Sequence, residues 1–305
     1  MAKNFEELIA RVAAIPMKKV AVCVSQDSAV VEAVRAAKDR KIADAILVGD
    51  AAKTKAIADE LGIDISDFEM INVEDTTEAS LTAVKLVHDG KADLYMKGLI
   101  DTKGFLKSVL DKEVGLRTGK TLSHVCVFDV KGYDRLMFLT DVAFLPYPSL
   151  EDKANIIKNT VEICEACGVM NPKVAPLAAV EVVNPKMPAT VDAEELHQMN
   201  LRGEIERCIV DGPLSMDLAI DPEAAKHKGA TDRPVQGDAD ILLFPDIHTG
   251  NITYKAMVHM ADCVNGNILT GTAAPVVLTS RSDTMDVKLN SLAVASLVSE
   301  YFKNN

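Results

Sequence analysis

Four short runs of β-branched and apolar residues, at 19–25, 45–48, 69–73 and 93–96, alternate with three longer stretches of helical composition. That alternation leaves few folds open. The intervening stretches at 27–41, 51–61 and 76–89 have helical periodicity, and Gly90 supplies a stop for the last of them. Strand-helix-strand repetition predicts a parallel sheet covered by helices. Only 4% of the 305 residues are aromatic and none is Trp, so the core must be built from Val, Ile, Leu, Ala and Met, which a layered α/β architecture accommodates.

The alternation opens with a short helix over 6–14 and breaks after a helix over 103–110. Strands at 121–130 and 135–140 follow, joined at Lys131-Gly132-Tyr133-Asp134 as a hairpin. Pro146 and Pro148 come next, then a long helix over 150–167 capped by Ser149. Strands are predicted again at 173–180, 207–210, 240–244 and 275–278, with helices near 191–202, 215–220 and 250–261. In a final helix over 286–301, Leu289, Leu292, Ala293 and Leu297 mark one buried face. A chain of this length suits two domains, and the break in pattern places a boundary near Thr140.

A formal charge of −12 argues against a nucleic-acid partner, so any phosphate ligand must meet local clusters of Lys and Arg. No stretch approaches the ~18 apolar residues of a membrane span. The opening Met-Ala-Lys-Asn-Phe-Glu-Glu lacks the apolar region of a secretory signal, and a cytoplasmic location is expected. The six cysteines lie mostly in apolar runs and read as reduced core thiols. Cys164 and Cys167 have no second pair at zinc spacing, and His248 and His259 have no evident third ligand, so no metal is expected.

Polar residues gather where the apolar runs end, which is where α/β proteins place their chemistry. The run over 274–278 hands over to Thr279, Ser280, Arg281, Asp283 and Asp286: Ser280 and Arg281 suit an anion, and either Asp283 or Asp286 suits a proton acceptor. Lys97, Thr102, Lys103 and Lys107 surround a predicted helix start, which fits either a phosphate site or an ordinary capped helix with solvated lysines. Gly115-Leu116-Arg117-Thr118-Gly119-Lys120-Thr121 is one residue short of a Walker A loop and precedes a strand, which excludes that motif but leaves Arg117 and Lys120 as anion ligands. No dinucleotide-binding glycine fingerprint follows any strand. Asp211-Gly212-Pro213-Leu214-Ser215-Met216-Asp217 and Phe244-Pro245-Asp246, with Gly250-Asn251 beyond, are further strand ends, able to aim Ser215 or Asp217 into a crevice.

Taken together, the segments 209–217, 244–255 and Ser280-Arg281 with a following Asp resemble the phosphate acyltransferases. Lys97-Gly98-Leu99, Gly115 to Gly119 and Leu122-Ser123-His124 look more like the phosphate butyryltransferase branch than the acetyltransferase branch. The resemblance covers nearly the whole chain. It implies reversible acyl transfer between acyl-CoA and inorganic phosphate, giving acyl phosphate and coenzyme A, with butyryl or another short or branched chain carried. It also implies a two-domain, three-layer α/β fold like the isocitrate and isopropylmalate dehydrogenases, with the active cleft between the domains. The first domain would comprise 1–140 plus about 284–305 and the second 141–283, and the protein would be a homodimer or larger homo-oligomer. Coenzyme A enters as a substrate, with no tightly bound cofactor.

By position, the resemblance makes Ser280 and Arg281 the catalytic pair and Asp286 the base for the coenzyme A thiol, with Asp283 the alternative. Lys97, Thr102, Lys107, Arg117, Ser215, Asp217 and Asn251 are the expected phosphate and coenzyme A ligands. Val142 stands where many acetyl-type enzymes have Cys, which implies that no cysteine nucleophile is needed. The alternatives are a phosphate acetyltransferase, a nicotinamide-dependent decarboxylating dehydrogenase, and a non-catalytic module that binds acyl-CoA for regulation. A dehydrogenase would need a cluster of metal-binding aspartates, and a regulatory module would be free to lose the Ser-Arg-Asp set.

Overall fold

A computed structural model describes residues 2–280 and 283–305. The chain forms two compact units, one of Phe5–Lys120 with Asn265–Asn305, the other of Thr121–Val264 with the N-terminus through Asn4. In the first unit α1 (Phe5–Val12) leads into β1 (Lys18–Cys23), α2 (Ser28–Asp39), β2 (Ala43–Gly49), α3 (Ala51–Leu61), β3 (Glu69–Asn72), α4 (Thr76–His88), β4 (Leu94–Lys97) and α5 (Thr102–Val109). Asp27, Asp50, Asp75 and Asp101 each accept a backbone N–H three residues on, at 2.8–3.0 Å, which starts α2, α3, α4 and α5.

The second unit contains β5 (Ser123–Val130), β6 (Leu136–Thr140), α6 (Leu150–Ala166), β7 (Lys173–Pro176), α7 (Pro188–Leu201), β8 (Ile209–Val210), α8 (Met216–Ile220), α9 (Pro222–His227), β9 (Ile241–Leu243) and α10 (Ile247–Met260). Strand β10 (Cys263–Thr270) returns the chain to the first unit, which β11 (Val276–Val277) and α11 (Met285–Asn304) complete. Ser149 caps α6 as the sequence predicts, and Asp152 completes a capping box with it.

Parallel pairing joins β1 to β2 and β4, β2 to β3, and β4 to β11, so the first unit runs β3-β2-β1-β4-β11, with β10 antiparallel on β11. Every residue of β4 and nearly every residue of β1 and β2 is buried, the mark of a sheet covered on both faces. Helix α11 packs on α2 and α1, and its residues Lys288–Ser299 are buried without a break. It is therefore an interior helix, buried on more than the one face that the leucine spacing marks.

In the second unit β5 and β6 form the predicted hairpin, with Cys126 opposite Leu139. Beyond it β6, β9, β7 and β8 run parallel. The ladder from β6 to β9 ties the hairpin to the strands that follow it. Hence the compact units change over at Thr121 and Asn265, whereas the sequence alternation places a boundary near Thr140 and the family resemblance a return near 284. The strand predicted over 173–180 ends at Pro176, although Leu177 and Ala178 N–H still donate to Leu243 O at 2.9 Å and Leu214 O at 2.8 Å. Among the described residues no helix is long and apolar enough to cross a membrane.

Candidate active site

Because β1, β2, β4 and β11 are parallel, their carboxyl ends share one edge of the first unit's sheet. Cys23 pairs with Lys97 and Met96 with Val277, so Lys97 stands in the strand between the end of β1 and the segment leading to Ser280. Lys97 is buried there. The turn after it folds down on β1: Gly98 N–H donates to Cys23 O at 3.0 Å and Leu99 N–H to Val24 O at 2.8 Å. Only glycine fits at 98, since a Cβ would come within 2.3 Å of both carbonyl oxygens.

Thr102 begins α5, and Asp101 already accepts Gly104 N–H at 2.9 Å, so a carboxylate occupies part of this helix terminus. Lys107 lies in the last turn, five residues from Thr102 and about 140° round the helix, so the two face different directions. Both are exposed. Arg117 is exposed on a segment bridged to Thr272 and held by Thr118 Oγ1 donating to Gly271 O at 2.6 Å, which brings the 115–119 loop beside the entry to β11.

The segment after β11 separates the two candidate carboxylates. Ser280 N–H donates to Asp283 Oδ2 at 2.7 Å, and Asp283 N–H donates to Ser280 O at 3.2 Å. Asp286 is exposed in the first turn of α11 and has no hydrogen bond or ion pair to any described residue. Arg281 lies outside the described residues.

Lys288 was not singled out by the sequence, and it is buried directly behind this segment. Its ammonium donates to Thr279 Oγ1 at 3.4 Å, Ser280 O at 3.3 Å and Asp283 O at 3.3 Å. Burial pulls its pKa below that of an ordinary lysine, with the carboxylates of Asp27 and Asp283 opposing the shift. A lysine directly before Leu289, on a helix read as packing its leucine face inward, was the available signal.

The second unit brings its own strand ends to one edge. Asp141, following β6, is buried and accepts four backbone N–H groups, from His124, Ala143, Phe144 and Leu145, at 2.8–3.2 Å. Gly250 packs against this turn so closely that a Cβ would meet Asp141 O at 2.4 Å. Asn251 Nδ2 donates to Val142 O at 3.0 Å, so this predicted ligand supports the turn. Val142 itself is fully buried.

Asp211 is buried in a paired contact with Arg233, at 2.7 Å to Nη2, and also accepts Val235 N–H at 3.0 Å. Ser215 Oγ is hydrogen-bonded to Glu181 and lies 2.6 Å from Asp217 Oδ1. Lys228 bridges both carboxylates, at 3.1 Å and 2.9 Å. The Ser215 hydroxyl and the Lys228 ammonium hold the Asp217 pKa down to about 2. Glu181 and Lys228 were not anticipated, because they lie 34 and 13 residues from Ser215 and meet it only in the fold.

The family described as Phosphate acetyl/butaryl transferase matches residues 4–81 and 74–296. The chain belongs to that family. It is 56% identical over 298 residues to phosphate butyryltransferase of Clostridium acetobutylicum, covering 98% of this chain and 99% of that protein. Identity to phosphate butyryltransferase of Clostridium beijerinckii is 53%, with 98% of each covered. A branched-chain phosphotransacylase of Enterococcus faecalis V583 superposes with a TM-score of 0.81 at 31% identity, over 93% of this chain and 99% of that one. A 4-hydroxythreonine-4-phosphate dehydrogenase of Burkholderia phymatum shares the fold alone, with a TM-score of 0.54 at 11% identity over 92% of this chain and 98% of that one. The chain is thus an acyltransferase on a dehydrogenase-like α/β fold, as the sequence motifs imply.

Proposed function

We propose that this acyltransferase moves a butyryl or short branched acyl group reversibly between coenzyme A and inorganic phosphate, at the segment that follows β11. The observation that carries the reading is the division of labour between Asp283 and Asp286. Asp283 is engaged with the Ser280 backbone, while Asp286 stands exposed and unpartnered among the described residues, as a base for an incoming thiol must. The 56% identity to a phosphate butyryltransferase and the likeness to a branched-chain phosphotransacylase support the acyl class.

In the direction of coenzyme A acylation, the thiol gives its proton to Asp286 as sulfur attacks the carbonyl carbon of the acyl phosphate. A carbon–sulfur bond forms, the carbon–oxygen bond to phosphate breaks, and phosphate leaves with the electron pair. Arg281 neutralises the departing phosphate and Ser280 steadies the oxygen that gains charge. Transfer is direct, within one complex of both substrates, so positioning supplies much of the acceleration. Neither a cysteine nucleophile nor a tightly bound cofactor takes part.

Lys97, Thr102, Lys107 and Arg117 are the proposed cationic and hydroxyl ligands for phosphate and coenzyme A. Beside Ser215 and Asp217 the extra carboxylate of Glu181 suits the hydroxyl and amide donors of coenzyme A better than its phosphates. Asn251 acts by holding Val142. A cytoplasmic homo-oligomer is the working form, and the six free cysteines accord with a reducing compartment.

The test is release of coenzyme A thiol from butyryl-CoA, expected to require added phosphate and no nicotinamide. A series from acetyl to isovaleryl then ranks the acyl groups, with the highest kcat/KM expected at four or five carbons. Phosphate-independent release, or a clear preference for acetyl, would overturn the reading.

A further inference from the structure

A lysine buried behind the strand ends has no part in the chemistry above. Lys288 lies in the second turn of α11, 3% exposed, on a stretch where every residue through Ser299 is buried. Burying a lysine is costly unless its protons are used. All three are used on one short segment: Thr279 Oγ1, Ser280 O and Asp283 O lie 3.3–3.4 Å from Nζ. Two of those acceptors are the carbonyls of Ser280 and Asp283, the residues already joined to each other by backbone and carboxylate bonds.

The geometry assigns Lys288 as the positioning residue of the transfer centre. Its ammonium clamps Thr279, Ser280 and Asp283 to the buried α11, and it touches neither substrate. The clamp holds Ser280 O and Asp283 O at once. The reason for a cation here is donor number. A single ammonium can satisfy three acceptors that converge from one side, which an amide or hydroxyl cannot. Asp27, which caps α2, and Asp283 are the carboxylates that offset its charge.

This inference rests on the proposed acyl transfer, and the experiment separates the two. Phosphate-dependent release from butyryl-CoA is measured for the wild type, Lys288→Met and Lys288→Gln, each verified as folded by circular dichroism and thermal unfolding. A wild type without that activity removes the proposed function. With an active wild type, the clamp predicts that Lys288→Met lowers kcat by ~10–100-fold, the scale of a small misplacement of reacting groups, while KM for butyryl-CoA moves by less than about threefold. Lys288→Gln retains one donor group and is expected to lose about fivefold or more in kcat, which decides the matter if the Met variant does not fold. Wild-type kcat in a folded Met or Gln variant, or a change confined to KM, would overturn the assignment.

Discussion

Asp283 Oδ2 accepts the backbone N–H of Ser280 at 2.7 Å, a bond that distinguishes it from Asp286, the base that the family resemblance implies. A carboxylate holding its own loop together is poorly placed to take a proton from substrate, because protonation would weaken the bond that shapes the site.

Asp286→Asn is therefore expected to lower acyl transfer by ~10²-fold with unfolding unchanged, the usual scale for loss of a general base. Asp283→Ala should instead destabilise the protein by about 1–3 kcal/mol, since it leaves the Ser280 N–H without its charged partner. Turnover and urea midpoints for both variants distinguish the roles, and loss of chemistry only on changing Asp283 would reverse the assignment.

Arg281→Ala should reduce kcat by ~10²-fold or more, as for removal of one transition-state donor. Steady-state kinetics with phosphate and butyryl-CoA check this. Normal turnover in the folded variant would show that phosphate is neutralised elsewhere.

At Gly250 a single methyl group is too much. Gly250→Ala is expected to cost ~1–3 kcal/mol, because the added Cβ would press on Asp141 O and displace the turn that Asp141 gathers. Urea unfolding measures it. An unchanged midpoint would mean that α10 can move aside freely.

The Asp217 carboxylate gives a pH signature. Its folded pKa of about 2 lies below the ordinary carboxylate range, so the folded state favours the ionised form. The stability it contributes is present above roughly pH 4 and is lost as pH falls toward 2. Lys228 and Asp217 are both half exposed, so the effect is small. Thermal unfolding between pH 5 and 2 should show a shallower decline in Asp217→Asn than in the wild type; identical slopes would exclude this contribution.

Much of the fold was legible because its signals are local. The Ser149 cap of α6 acts through a bond spanning three residues, and the alternation of β-branched runs with helical stretches survives in one dimension. β10 is not among the predicted strands, and Asn265, Gly266 and Asn267 interrupt its apolar residues. In the fold Asn265 Nδ2 donates to Asn267 Oδ1 at 3.0 Å, and Ser291 Oγ accepts Asn267 N–H at 2.8 Å, which makes a polar strand tolerable in the interior. The hairpin is legible in the sequence, but not the compact unit it joins, since its ladder to β9 links residues about a hundred apart.

By itself the sequence determined the strand-helix alternation, the polar residues that follow each strand and the family whose motifs they carry. Periodicity, capping and motif spacing all act between near neighbours. Tertiary structure decided which of those residues act together: Asp283 on Ser280 and Asp286 apart, Asn251 supporting Val142, Lys288 buried behind the segment. Burial and convergent hydrogen bonding depend on which distant segments meet, and no local pattern specifies that.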